Sequence, residues 1–237
     1  MTFCLRHILP AVMLLTLAGG TADAQKRVSA VATVQSVSAG KLSTVTKTLY
    51  CNANGRMVTV FDSPYNYYLI TNPKGEAQIY LPQTNEVLQE VRDYLSNKDE
   101  LIYLFLSGRI EDLGLVYYGY KIVSSENEGD GIVRKTYRSG ETGRIPTVTV
   151  VTRNFLPIYI AYTDAGGKVV SKTYFTQYVN LPRFTMPSRV TAIDYNGKDS
   201  VITRTTYTDI KVDVSDPLFD FQVPSDARVA TDPTGGK

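Results

Sequence analysis

Short turn signals punctuate this chain between segments that alternate apolar and polar residues, and that rhythm restricts the fold more than any other feature. Asn52-Ala53-Asn54-Gly55, Asn72-Pro73-Lys74-Gly75, Asp164-Ala165-Gly166-Gly167 and Asn196-Gly197-Lys198 each stand between such segments. Asn and Gly accept the positive φ that tight hairpins require. Ala77, Ile79 and Leu81 alternate with polar neighbours, as do Val148 and Val150, Ile158 and Ile160, and Phe219, Phe221 and Val223. A period of two gives each strand one apolar face and one polar or aromatic face. The pattern predicts a mainly β fold with minor α: ten or so antiparallel strands in a curved sheet wrapped about an interior. No composition break marks a domain boundary, so residues 25–229 read as one domain.

The chain opens with one basic residue, Arg6, then the apolar run from Ile8 to Leu17 and the small-x-small site Ala22-Asp23-Ala24. This reads as a cleavable export signal over residues 1–24, too short in its apolar part to span a bilayer. His7 and Cys4 leave with it, so the remaining residues, about 213, hold no histidine, and Cys51 has no disulfide partner. Histidine-based acid–base, metal and nucleophile chemistry is thereby removed, which moves the reading from enzyme to binder. Hydrophobic residues make up 43% and charged residues 20%, the balance of a folded globule. Lys and Arg form no run of five, so nucleic acid is a poor partner. Tyr is in excess, 17 against no Trp, which suits the wall or rim of a cavity as well as ordinary strand packing.

One stretch breaks the strand rhythm. Ser96 with Asp99 resembles a capping box, Gly108 is a natural helix stop, and Leu101-Ile102-Tyr103-Leu104-Phe105-Leu106 between them is apolar all round. A short buried helix over residues 98–107 follows, either a plug completing the core or a movable lid that stands in for a ligand. Residues 25–40 are ambiguous: Ala30, Val31, Val34 and Val37 fit a helical stripe, while Val31, Thr33, Val34 and Val37 are β-branched. Residues 230–237 read as a frayed tail.

The remaining chemical motifs are weak. Glu126-Asn127-Glu128-Gly129-Asp130-Gly131 is rich in oxygen ligands but lacks calcium-loop spacing, and reads as a solvated hairpin turn. Gly140-Glu141-Thr142-Gly143-Arg144 lacks the Gly-Lys-Ser/Thr ending of a phosphate loop. Cys51 reads as a small buried hydrophobe. Paired carboxylates in a hydrolase-like cleft stay open, although no spacing nominates a pair. No catalytic residue, cofactor or metal site is expected.

Three stretches resemble the periplasmic outer-membrane lipoprotein carrier (LolA-like) family. They are Asn72-Pro73-Lys74-Gly75-Glu76-Ala77-Gln78-Ile79-Tyr80-Leu81-Pro82 with Gln83-Thr84-Asn85-Glu86-Val87 after it, the helix candidate ending at Gly108, and Asp216-Pro217-Leu218-Phe219-Asp220-Phe221-Gln222-Val223-Pro224 with Ser225-Asp226-Ala227-Arg228-Val229. The resemblance implies an unclosed antiparallel half-barrel over a hydrophobic cavity, closed by a lid helix. It further implies a soluble, monomeric periplasmic carrier that holds the acyl chains of lipoproteins between an inner-membrane donor and an outer-membrane acceptor. Leu101, Leu104 and Phe105 are the expected lid surface, and Ile79, Leu81, Phe219 and Phe221 the expected sheet wall; ordinary core packing is the competing role for each. Where many members carry an Arg before the early-strand proline, implicated in latching the lid, this chain has Ser63 before Pro64, and Arg56 stands in another register. The family's first helix corresponds to the segment before Gly40. Two other readings stay open: a carrier or sensor of another amphiphile, such as a glycolipid or acylated pigment, and a structural or adhesion module with a filled core.

Overall fold

The computed structural model describes residues 27–62, 65–91, 97, 100–141, 144–182, 184–197 and 199–230. The export-signal reading, the Ser96–Asp99 cap, Ser63 and Pro64, and residues 231–237 lie outside the described residues. Among those described, the strands are β1 (Arg27–Ser38), β2 (Lys41–Asn52), β3 (Met57–Phe61), β4 (Tyr67–Thr71), β5 (Glu76–Leu81) and β6 (Glu86–Val91). After the helix α1 (Leu101–Leu106) come β7 (Tyr120–Gly129), β8 (Ile132–Ser139), β9 (Thr147–Arg153) and β10 (Leu156–Thr163). The chain closes with β11 (Val169–Asn180), β12 (Thr185–Asn196), β13 (Asp199–Val212) and β14 (Arg228–Val229).

All 14 strands belong to one sheet, in the order β14-β6-β5-β4-β3-β2-β1-β13-β12-β11-β10-β9-β8-β7. Two antiparallel meanders, β1–β6 and β7–β13, meet where β1 pairs with β13. β14 adds a two-residue parallel pairing to β6. The ends, β14 and β7, do not meet, so the sheet is an unclosed half-barrel, the fold class expected from the sequence. The strand count exceeds the expected ten or so, because short strands such as β3 and β4, of five residues each, carry too little alternation to register separately.

The ambiguous segment at 25–40 resolves as strand. Residues 27–38 form β1, paired on both sides, and its β-branched residues win over the helical stripe. The expected closing strand through Phe219 and Phe221 is corrected. Pro217–Asp220 is a 3-10 turn, started by Asp216, whose side chain accepts a hydrogen bond from the Leu218 N–H at 2.9 Å with Pro217 next in line.

Strand alternation separates two faces. On β2, Leu49 and Cys51 join an inner cluster with Val28, Ala30, Met57, Met186 and Tyr207. Tyr50 faces the other way, into an outer cluster with Val58, Ile70 and Phe219. A second inner cluster lies on the far meander, around Tyr137, Val148, Val150, Ile160 and Phe175. α1 contacts β2, β1 and β12, strands spread over four consecutive positions of the sheet. A helix of six residues, about 9 Å long, reaches all three because the sheet curls around it. Irregularities assist the bend: Gln177 and Asp209 take positive φ inside β11 and β13, and the β1–β13 register shifts between Ser29 and Val31.

Candidate functional site: the inner face and its helix

α1 is shorter than the 98–107 expected from sequence, and of its two ends the C-terminal one carries a capping motif. Glu100 stands at its N-terminus and makes no side-chain cap bond. At the other end Gly108, at φ +73°, donates its N–H to the Phe105 carbonyl at 3.2 Å, and the Arg109 N–H reaches the Leu104 carbonyl at 2.9 Å. These two bonds make the Schellman stop that the glycine announced. An isolated helix of six residues is far below the length that is stable in water. Burial of its side chains is what holds α1 in shape.

The face that α1 turns to the sheet is Ile102, Phe105 and Leu106, all in the first inner cluster. Leu101 is half-buried and touches both inner clusters. Leu104 is buried, within reach of Gly114 of the following segment, and belongs to neither cluster. The expected trio of Leu101, Leu104 and Phe105 is therefore split, and Ile102 and Leu106, which sequence reasoning passed over, do more of the sheet contact. No signal could have separated them: in a run apolar on every side, no single face can be singled out before the neighbours are known. Phe105 also lies 6.4 Å, ring to ring, from Tyr178.

Ile79 and Leu81 fall on the inner side of β5 by alternation, since Ile79 pairs with Leu69 while Tyr80 pairs with the outward Tyr68. Ile79 is half-buried and Leu81 exposed, and neither belongs to the clusters under α1. Phe219 and Phe221 occupy the outer face. Phe219 meets Tyr50 edge-on at 5.3 Å, and Phe221 stacks on Tyr68 at 4.5 Å. The four residues expected to form one wall thus lie on opposite sides of the sheet.

Arg56 explains how the outer segment is held. Its Nη1 donates to the Phe219 carbonyl at 2.8 Å and its Nη2 to the Phe221 carbonyl, while Asn52 Nδ2 donates to the Phe219 carbonyl at 3.1 Å. Arg27 pairs with Asp220 at 2.9 Å and lies over the Phe219 ring at 5.4 Å. This arginine latch secures the C-terminal strap, not α1.

On the inner face α1 fills the curl of the sheet. A cavity of about 370 Å³ opens at its C-terminal end, lined in part by Phe105, Leu106, Ile110, Leu156, Phe184 and Val212. A second of about 310 Å³ lies farther along, between Val133, Thr152 and Phe155, with the Lys135–Glu111 pair at 3.7 Å beside it. A third cavity, about 760 Å³, is on the other side of the sheet and is lined mostly by polar residues.

The inner face offers little for catalysis. Cys51 is fully buried, and burial, with the Glu100 carboxylate adding to it, pushes its thiol up to about 12. The same two causes raise the Tyr207 phenol. Burial raises Tyr137 to about 12 and raises Tyr178 also. All four are neutral at ordinary pH. At the β7–β8 hairpin, Glu128 pairs with Arg134 at 2.5 Å and Asp130 and Gly131 turn the chain with positive φ. Among the described residues no group of three or more His, Cys, Asp or Glu could hold a metal ion. Among them, too, no helix is long and apolar enough to cross a membrane.

No protein-family profile matches the sequence, and no curated protein does. Solved structures do. A DUF1329 family protein from Desulfovibrio piger aligns with a TM-score of 0.55 at 18% identity, over 83% of this chain and 90% of that one. An outer membrane lipoprotein-sorting protein domain from Vibrio parahaemolyticus gives 0.55 at 13% identity, over 82% and 89%. A LolA superfamily protein from Nitrosomonas europaea gives 0.51 at 10% identity, over 79% and 85%. At these identities the likeness is one of fold. With its open 14-stranded sheet curled about a short apolar helix, this chain has the LolA-like fold.

Proposed function

We propose that this protein is an exported, periplasmic carrier, monomeric and without a catalytic step. It takes the acyl chains of a lipid-modified protein onto the inner face of its sheet. The observation that carries this reading is α1: six apolar residues, four of them buried, held in the curl of the sheet chiefly by packing. Burying a large apolar side chain is worth about 1.5–3 kcal/mol, so α1 holds its seat with roughly 6–12 kcal/mol of gross burial. A sixteen-carbon acyl chain, at about 0.8 kcal/mol per methylene, gains a similar amount. Exchange of one for the other is close to balanced, which lets a carrier load and also let go. Delivery then requires a donor at the inner membrane and an acceptor at the outer.

The test has two arms. Residues 25–237 purified natively from a periplasmic extract should carry acylated peptides or lipoproteins detectable by mass spectrometry. Phe105→Asp, which removes a ring from the inner cluster and so weakens the seat of α1 against the incoming chain, should tighten binding of a palmitoylated peptide and leave the sheet folded. Unchanged affinity in folded Phe105→Asp would remove α1 from the exchange. A filled-core module is the second reading, supported by the absence of a large apolar void on the inner face among the described residues. Protein that purifies empty and ignores added acyl probes would favour it, and a different co-purified amphiphile would keep the cavity and change the cargo.

A further inference from the structure

The cavity of about 760 Å³ belongs to none of this. It lies on the outer face, at the opposite side of the sheet from α1, and its volume falls within the range of small-molecule sites. Its floor is a cross-strand row: Ile70 of β4 pairs with Gln78 of β5, which pairs with Gln89 of β6. Asn54 and Arg56 border it from the β2–β3 turn, and Asn72 and Glu76 from the β4–β5 turn. Gln222 reaches in from the C-terminal strap.

The chemistry of this lining is specific. Five of its side chains are carboxamides, groups that both accept and donate, of which Asn54 and Asn72 are engaged within their own turns. The amides of Gln78, Gln89 and Gln222 make no hydrogen bond among the described residues. The one cation and the one anion are already engaged: Arg56 holds the strap carbonyls, and Glu76 accepts from Asn72 Nδ2 at 2.6 Å. A phosphate or carboxylate ligand would find no free charge to meet it. Among the lining residues the one large apolar side chain on this side of the sheet is Ile70, too little for an acyl chain. Groups that both donate and accept, around a small apolar patch and with no net charge, match a ligand with adjacent hydroxyls and a hydrophobic C–H face.

We infer that the outer cavity between β4–β6 and the C-terminal strap is a binding site for an uncharged saccharide. The three glutamines pair its hydroxyls and Ile70 packs against its ring. The site is independent of the acyl site, since Gln78 and α1 stand on opposite faces. The strap that supplies Gln222 is the segment pinned by Arg56, so the latch also shapes the site.

Saturation-transfer NMR and calorimetry, with the tetramer of N-acetylglucosamine and with maltotetraose as probes, test the proposal on the full exported chain. At least one probe should saturate below about 10 mM, and Gln78→Ala with Gln89→Ala should weaken it about tenfold. Gln222→Ala, on the strap outside the sheet, should weaken the same probe with an unchanged urea midpoint. Phe105→Asp should leave it unchanged, which separates this site from the acyl reading. No saturation by either probe, or affinity indifferent to all three glutamines, would overturn the assignment.

Discussion

Gly55 shows how tightly single positions are fixed here. It takes φ +85°, and a Cβ placed on it would stand 2.3 Å from Pro73 Cγ and 3.0 Å from Tyr103 Cε2. The β2–β3 turn, the β4–β5 turn and α1 therefore close on one glycine. Gly55→Ala should cost about 2 kcal/mol or more, read as a lower urea midpoint with an unchanged m-value. Cys51 should resist a thiol reagent in the folded protein and react fully once unfolded, since its thiol is buried and held up to about 12. Tyr137, held to about 12, and Tyr178 and Tyr207, raised by burial, govern the alkaline limit. Unfolded phenols ionise near about 10. Above that pH the unfolded chain releases protons that the folded one keeps, so stability is intact below about 10 and falls as pH climbs towards 12. A urea midpoint lower at pH 11 than at pH 8 would show it. The burial of Cys51 was legible in the sequence from its strand and the lack of any partner. The role of Arg56 was not, because the carbonyls it binds are 163 and 165 residues away.

Elements were legible where local chemistry decides them and misread where distant packing does. The hairpins at Asn52–Gly55, Asn72–Gly75 and Asp164–Gly167 stand where Asn, Asp and Gly placed them. The Gly108 stop is likewise local. β1 could not be settled from its own residues, because its strand state comes from two neighbours, one of them β13 near the far end of the chain. The segment after β13 misled for the opposite reason: Phe219 and Phe221 alternate like a strand, yet Asp216 and Pro217 wind the backbone into a turn and the rings anchor a strap. Phe219 is wholly buried, so Phe219→Ala should cost about 3–5 kcal/mol in urea unfolding. The same change should leave acyl binding intact, because the strap and α1 lie on opposite faces.

At the scale of the whole molecule, one sheet carries two unlike faces because its strands alternate. The inner side, curled about α1, is apolar; the outer side carries the strap, the arginine latch and a polar cavity. The join of the meanders at β1 and β13 puts α1 at the centre of the curl. The curved antiparallel sheet was legible from turns and alternation, and its unclosed half-barrel form from the resemblance to the LolA-like family. The division of labour between its faces was not, since alternation distinguishes the two sides of a strand without telling which one curls inward. Exchange of α1 for an acyl chain is tested most directly by amide hydrogen exchange, with and without a palmitoylated peptide. The N–H groups of Leu104, Ser107, Gly108 and Arg109, all hydrogen-bonded at α1, should lose protection when the peptide binds, while those of β1 and β13 keep theirs. Bound peptide with α1 as protected as before, or more so, would contradict the exchange.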